Sequence, residues 1–215
     1  MGDQNQIHTR PTYKIDFDRI MEEFARYWGK TVGVKRPDYA GNMADVVEIG
    51  QREQGVTRAT DPKPVLATFG IGPCVSLVGY SGERQTGFLT HYDGTIGLRH
   101  SFSELFFNLY RLGHVDGDRF DVRLVGEHEG TSDGIMSGLK TAIQHGSCFN
   151  MQLVEEDTGY IEGSRDIALD TRTGETFAYD PGKNPYRKQL SDLELKLMCL
   201  RISHPGEVEF VYRPE

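Results

Sequence analysis

Apolar residues are unevenly spaced along the chain, and their spacing predicts its elements. In Asp16–Trp28 (DFDRIMEEFARYW), Phe17, Ile20, Met21, Phe24 and Tyr27/Trp28 recur every three to four residues. That period predicts an amphipathic helix, with Asp16 as its N-cap and Gly29 at its end. From Gly33 to Pro64 the pattern weakens. Tyr39–Gly41 reads as loop, Val46–Ile49 as a short apolar piece and Gln51–Lys63 as a solvated connection. Residues 1–60 are therefore expected to form an N-terminal extension packed on a core domain, residues 61–215.

From Val65 the pattern becomes regular. Val65–Phe69, Val75–Tyr80 and Thr86–His91 read as three strands, with Ser81–Gly82 as turn chemistry between the last two. Ser101–Leu112 reads as a helix capped by Ser101 or Ser103, with Phe102, Leu105, Phe106, Leu109 and Leu112 as its apolar stripe and Gly113 behind it. Phe120–Gly126 alternates as a half-buried strand. Thr131–His145 reads as a helix capped by Thr131 or Ser132, with Ile135, Leu139, Ala142 and Ile143 on its apolar face. Phe149–Val154, Ser164–Leu169 and Glu175–Tyr179 read as strands, Asp192–Ile202 as a closing helix and Val208–Tyr212 as a final strand. Strands and helices mix without the regular alternation of a doubly wound sheet. The expectation is an α+β fold of mixed β-sheets layered with helices.

Composition narrows the function. The 215 residues carry a formal net charge of −8, which argues against nucleic acid or an anionic membrane surface as the main partner, since both demand a basic footprint. No run approaches the roughly 18 apolar residues of a membrane span. The N-terminal stretch MGDQNQIHTRPTYKIDF has no apolar region of the kind a secretory signal carries. Three cysteines (Cys74, Cys148, Cys199) are too few for a disulfide framework and suggest reduced thiols in the cytoplasm. An effector exported without a cleaved signal has the same appearance.

Chemistry concentrates in Thr68–His91 (TFGIGPCVSLVGYSGERQTGFLTH). Cys74 follows a Gly-x-Gly-Pro turn and opens a strand; His91 ends the next strand. A thiol and an imidazole facing each other across a hairpin suit nucleophilic catalysis, in which the base takes the thiol proton. Backbone amides of the turn, at Gly72 and Cys74, can hold an oxyanion, whereas Pro73 has no N–H to offer. Thr68, through its hydroxyl or carbonyl, can accept a proton from the imidazole and orient it. The bland alternatives are a packed cysteine, a strand-end histidine and an ordinary strand threonine. Cys148 beside His145 and Cys199 on the last helix read as packing. His128 between two glutamates has no second histidine at ligand spacing, so no metal site is expected.

The same run resembles the catalytic segment of the CheD family of bacterial protein glutamine deamidases, which has a Thr, a Gly-rich turn, Cys-Val, an apolar strand, a Gly and a His. The resemblance extends through Asp121–Gly130, the helix at Thr131–His145 and Gly163-Ser164-Arg165 with IALDTRTGE, covering about Val65 to Tyr179. It implies a Cys74–His91–Thr68 site that hydrolyses a glutamine side-chain amide of a protein substrate without a cofactor. Related chemistry and fold occur in toxin deamidases of the cytotoxic necrotizing factor type, so chemotactic and effector roles both follow from it. Transglutamination, peptide cleavage and non-catalytic protein binding are the alternatives. The chain departs from the family at Pro73, where the family has Ser before its Cys, and at Tyr92-Asp93-Gly94 after the histidine. The N-terminal extension and the C-terminal helix and strand have no counterpart in it.

Overall fold

A computed structural model of the chain describes residues 33–93, 97–126, 132–146, 148–159, 165–187 and 206–214. It is mixed α+β, with two sheets and two α-helices among the described residues. The strands are β1 (Val46–Glu48), β2 (Glu53–Arg58), β3 (Val65–Ile71), β4 (Val75–Ser81), β5 (Thr86–Tyr92), β6 (Arg119–Gly126), β7 (Asn150–Thr158), β8 (Arg165–Asp170), β9 (Glu175–Ala178) and β10 (Glu209–Tyr212). The helices are α1 (Leu98–Arg111) and α2 (Asp133–Thr141). One sheet has the order β1-β3-β8-β9, the other β10-β2-β5-β4-β6-β7. In the larger sheet β10 runs parallel to β2 and β7 parallel to β6, and the remaining pairs are antiparallel.

Alternation along each strand builds the layers. On β4 and β5, Val75, Leu77, Phe88 and Tyr92 join the helix stripes (Phe102, Leu105, Leu109, Ile135, Leu139) in one core. Their neighbours Cys74, Val78 and Leu89 turn to the opposite face and meet Leu66, Ile71, Ile167 and Leu169 of the smaller sheet in a second core. The far side of the smaller sheet is covered by Tyr39, Val46 and Tyr179. The section is thus helices, large sheet, small sheet, outer segment; Thr68 and His91 lie on strands that bound the layer between the sheets, and Cys74 immediately precedes β4.

The expected strands and helices inside 65–179 appear, several with shifted ends. Gln51–Lys63 is a correction: it holds β2, second from the edge of the larger sheet, with Gln54, Val56 and Thr57 buried. Only Val56 supplies an apolar signal there. Gln54 instead meets Ser101, whose Oγ donates to Gln54 Oε1 (3.0 Å), and Thr57 Oγ1 donates to the Lys63 carbonyl (2.8 Å). The layered sheets therefore begin at Val46, ahead of residue 61. β7 runs on through Glu155, Glu156 and Asp157 because Arg36, Lys140 and Arg165 pair those carboxylates. Neither Ser101 nor Ser103 caps a helix. α1 starts at Leu98, and both serines are spent inside it, Ser101 on Gln54 and Ser103 on the Arg99 carbonyl. Ser132 does occupy the N-cap position of α2, but its hydroxyl donates to the Pro73 carbonyl (2.8 Å) and accepts no N–H from its own helix. The helices expected at Asp16–Trp28 and Asp192–Ile202, with Cys199 and His128, lie outside the described residues.

Candidate active site

β3, β4 and β5 place the three expected residues. β4 and β5 form a continuous antiparallel ladder in which Ser76 pairs with His91 and Val75 with Tyr92. Residues directly opposite in such a ladder share a face, so Ser76 and His91 point together toward the smaller sheet, as does Cys74 two residues before Ser76. Thr68, on β3 of that sheet, closes the gap: its Oγ1 lies 2.8 Å from His91 Nδ1. It is the Thr68 hydroxyl that meets the imidazole. Thr68 and His91 are fully or almost fully buried, and Cys74 is 8 % exposed.

The rim is the end of β3 and the turn that leads to β4, where Gly70 and Pro73 are exposed. The Gly70 N–H donates to Asp166 Oδ1 (2.7 Å), tying the turn to β8. The Ser132 hydroxyl on the Pro73 carbonyl ties it to the start of α2. Gly126, at the end of β6, sits against its floor: a Cβ there would lie 2.2 Å from the Cys74 carbonyl oxygen, and its φ of +113° is glycine territory. One expectation for this turn changes. The Gly72 N–H donates to the Gly70 carbonyl (2.9 Å) within the turn and is spent there, so Cys74 N–H is the backbone donor that remains from the expected pair.

Electrostatics hold the pair neutral at rest. Burial pushes the Cys74 thiol up to about 12, and Asp93 adds to the shift while Arg52 opposes it. Burial pushes His91 down to about 4 against the pull of Asp93. His91 Nε2 is buried and has no hydrogen-bond partner. When Nδ1 carries the proton and donates it to Thr68, the Nε2 lone pair is free to accept another. The arrangement is a buried thiol and a buried imidazole on one face of the sheet, the imidazole able to act as a base, without a standing thiolate–imidazolium pair.

The sequence did not point to Arg52 and Asp93. Arg52 Nε donates to Asp93 Oδ2 at 2.5 Å, with both side chains buried. Nothing in the weak pattern of residues 33–64 marks Arg52, and 41 positions separate the two. Cys148 also departs from expectation. It is exposed, and its Sγ accepts a hydrogen bond from Tyr110 Oη (2.9 Å). No group of three or more His, Cys, Asp or Glu side chains suited to a metal lies among the described residues. No helix among them is long and apolar enough to cross a membrane.

No protein-family model and no curated protein matches the sequence.

Proposed function

We propose that the chain is a cysteine-dependent protein glutamine deamidase of CheD-like type, acting in the cytoplasm on a protein that carries a reactive glutamine. The observation that carries the reading is the Thr68 Oγ1–His91 Nδ1 contact of 2.8 Å, which leaves the buried Nε2 unpartnered on the face that Cys74 shares. Histidine held at one nitrogen and open at the other, beside a thiol, is the arrangement nucleophilic amide chemistry requires.

In this reading His91 Nε2 takes the Cys74 proton as Sγ attacks the carboxamide carbon, so the charged pair forms only along the reaction coordinate. The Cys74 N–H faces the developing oxyanion. The His91 imidazolium protonates the departing nitrogen, ammonia leaves and a thioester remains. Water, deprotonated by His91, attacks the thioester, releasing glutamate and restoring the thiol. No step draws on a cofactor. Interception of the thioester by an amine instead of water would give transglutamination from the same site.

One observation favours a second reading, a non-catalytic protein-binding module. A thiol that is 8 % exposed and pushed up to about 12 behaves like a packing residue. Incubation of the purified chain with receptor coiled-coil helices and with a cell lysate separates the two readings. Deamidation adds about one dalton per glutamine, absent in Cys74→Ala. Substrate left unmodified by wild type, or modified equally by the variant, overturns the enzymatic reading.

A further inference from the structure

The buried pair Arg52–Asp93 sits against the candidate nucleophile and base and has no part in the chemistry described above. One step beyond the Val75–Tyr92 pair of the β4/β5 ladder lie Cys74 and Asp93. Asp93 is two residues past His91 on the same strand line, so its side chain faces the same layer. Arg52 reaches it from the loop before β2. The Arg52 backbone takes the left-handed conformation (φ 61°), its N–H donates to the His91 carbonyl (2.9 Å), and its guanidinium closes on Asp93. Gln51 Nε2 adds a bond to the same carboxylate oxygen (3.2 Å).

The C-terminal segment runs against Arg52. Glu209 N–H donates to the Arg52 carbonyl (2.8 Å), and a Cβ on Gly206 would lie 2.2 Å from Arg52 Nη1. Glycine at 206 is what lets the chain pass over the arginine. This assigns work to a part of the chain that the resemblance leaves without a counterpart.

We infer that Arg52 and Asp93 are positioning residues of the Cys74–His91 site, an oriented ion pair whose carboxylate favours a protonated His91 and whose guanidinium keeps that carboxylate from holding the proton on Cys74. The inference rests on the deamidase reading for its purpose, but its electrostatic content stands apart. Proton transfer from Sγ to Nε2 creates a negative charge at Cys74 and a positive one at His91. A carboxylate alone would help the second and oppose the first. Arg52 offsets the opposition where it arises: among the described residues, Asp93 raises and Arg52 lowers the Cys74 thiol, and Asp93 raises His91. Thr68, Ile71 and Ser76, which face the pair from β3 and β4, are uncharged.

The test is the alkylation rate of Cys74 by iodoacetamide in the full chain, followed by peptide mass spectrometry with exposed Cys148 as internal standard. Arg52→Gln removes the positive charge of the pair and Asp93→Asn its negative charge. At a pH below the thiol pKa the rate changes about tenfold per unit of pKa, so Arg52→Gln is expected to slow Cys74 about threefold or more and Asp93→Asn to speed it by a similar factor. Arg52→Lys keeps the charge and stays nearer wild type. Gly206→Ala displaces the guanidinium without changing any charge and follows Arg52→Gln, which provides a second route if Arg52→Gln does not fold. A purely structural ion pair would shift both charge variants in one direction or neither, and that result overturns the inference. Opposite shifts without any glutamine deamidation by wild type would retain the ion pair's role and discard the deamidase reading.

Discussion

His91 is buried, and burial pushes it from its ordinary 6.5 down to about 4. Stability must then depend on pH in a defined window. The unfolded chain takes up a proton on this imidazole as pH falls through 6.5, while the folded chain does not until about 4. Between those values the unfolded state binds more protons, so stability is complete above 6.5 and declines as pH falls. Each unit of pH in the window is worth about 1.4 kcal/mol, so His91 alone removes about 3 kcal/mol by pH 4. That is a large share of the 5–15 kcal/mol typical of a folded domain. His114, also buried and held below its ordinary value, pulls in the same direction, so the quantity to measure is a difference. Urea unfolding of wild type and His91→Gln at half-unit pH steps isolates it. The variant is expected to be less stable at neutral pH and to lose less stability on acidification, so the two curves converge. Parallel curves would refute the buried neutral imidazole and with it the base assigned to the site.

Three further outcomes follow from the same contacts. Thr68→Val removes the partner of His91 Nδ1 and strands a buried ring nitrogen; a loss of about 1–3 kcal/mol is expected in urea unfolding, largely restored by Thr68→Ser. Asp157→Ala leaves the buried Arg36 and Arg165 without the carboxylate they share (2.7 and 2.9 Å), and chemical denaturation is expected to register a loss of about 3–5 kcal/mol. Gly126→Ala places a methyl group 2.2 Å from the Cys74 carbonyl at a positive φ, so the melting temperature should drop by several degrees, an energy of about 1–3 kcal/mol, whereas Gly134→Ala at an open position should change little.

Much of this architecture is legible in the chain because burial there is apolar. β3, β4 and β5 alternate or run apolar between turn residues, and the stripes of α1 and α2 repeat at helical spacing. Thr68, Cys74 and His91 stand out because they punctuate those strands. What escapes the pattern is burial by polar groups. β2 hides Gln54 and Thr57 through hydrogen bonds that form only once α1 and the Lys63 turn are in place. The acidic end of β7 looks solvated until Arg36 and Arg165 arrive from 119 to 121 positions upstream and 8 downstream. The same holds for serines. Ser101 and Ser132 suit helix caps locally, yet tertiary partners claim both hydroxyls. Arg52 and Asp93 are the extreme case, an ion pair across 41 positions with one member in a segment that carries no periodicity. The γ-type bond that spends the Gly72 amide is likewise a property of the folded turn and not of its composition.

In the proposed reaction Cys74, with His91 as its base, hydrolyses glutamine carboxamides. The most direct measurement is capture of the intermediate. Purified chain, mixed with a glutamine-bearing protein substrate and quenched in acid, is digested and searched for a thioester on Cys74. The expected result is an acyl adduct on Cys74 that disappears on treatment with hydroxylamine, is absent from Cys148, and accompanies ammonia release. Ammonia release undiminished in Cys74→Ala, or an adduct confined to Cys148, would contradict it.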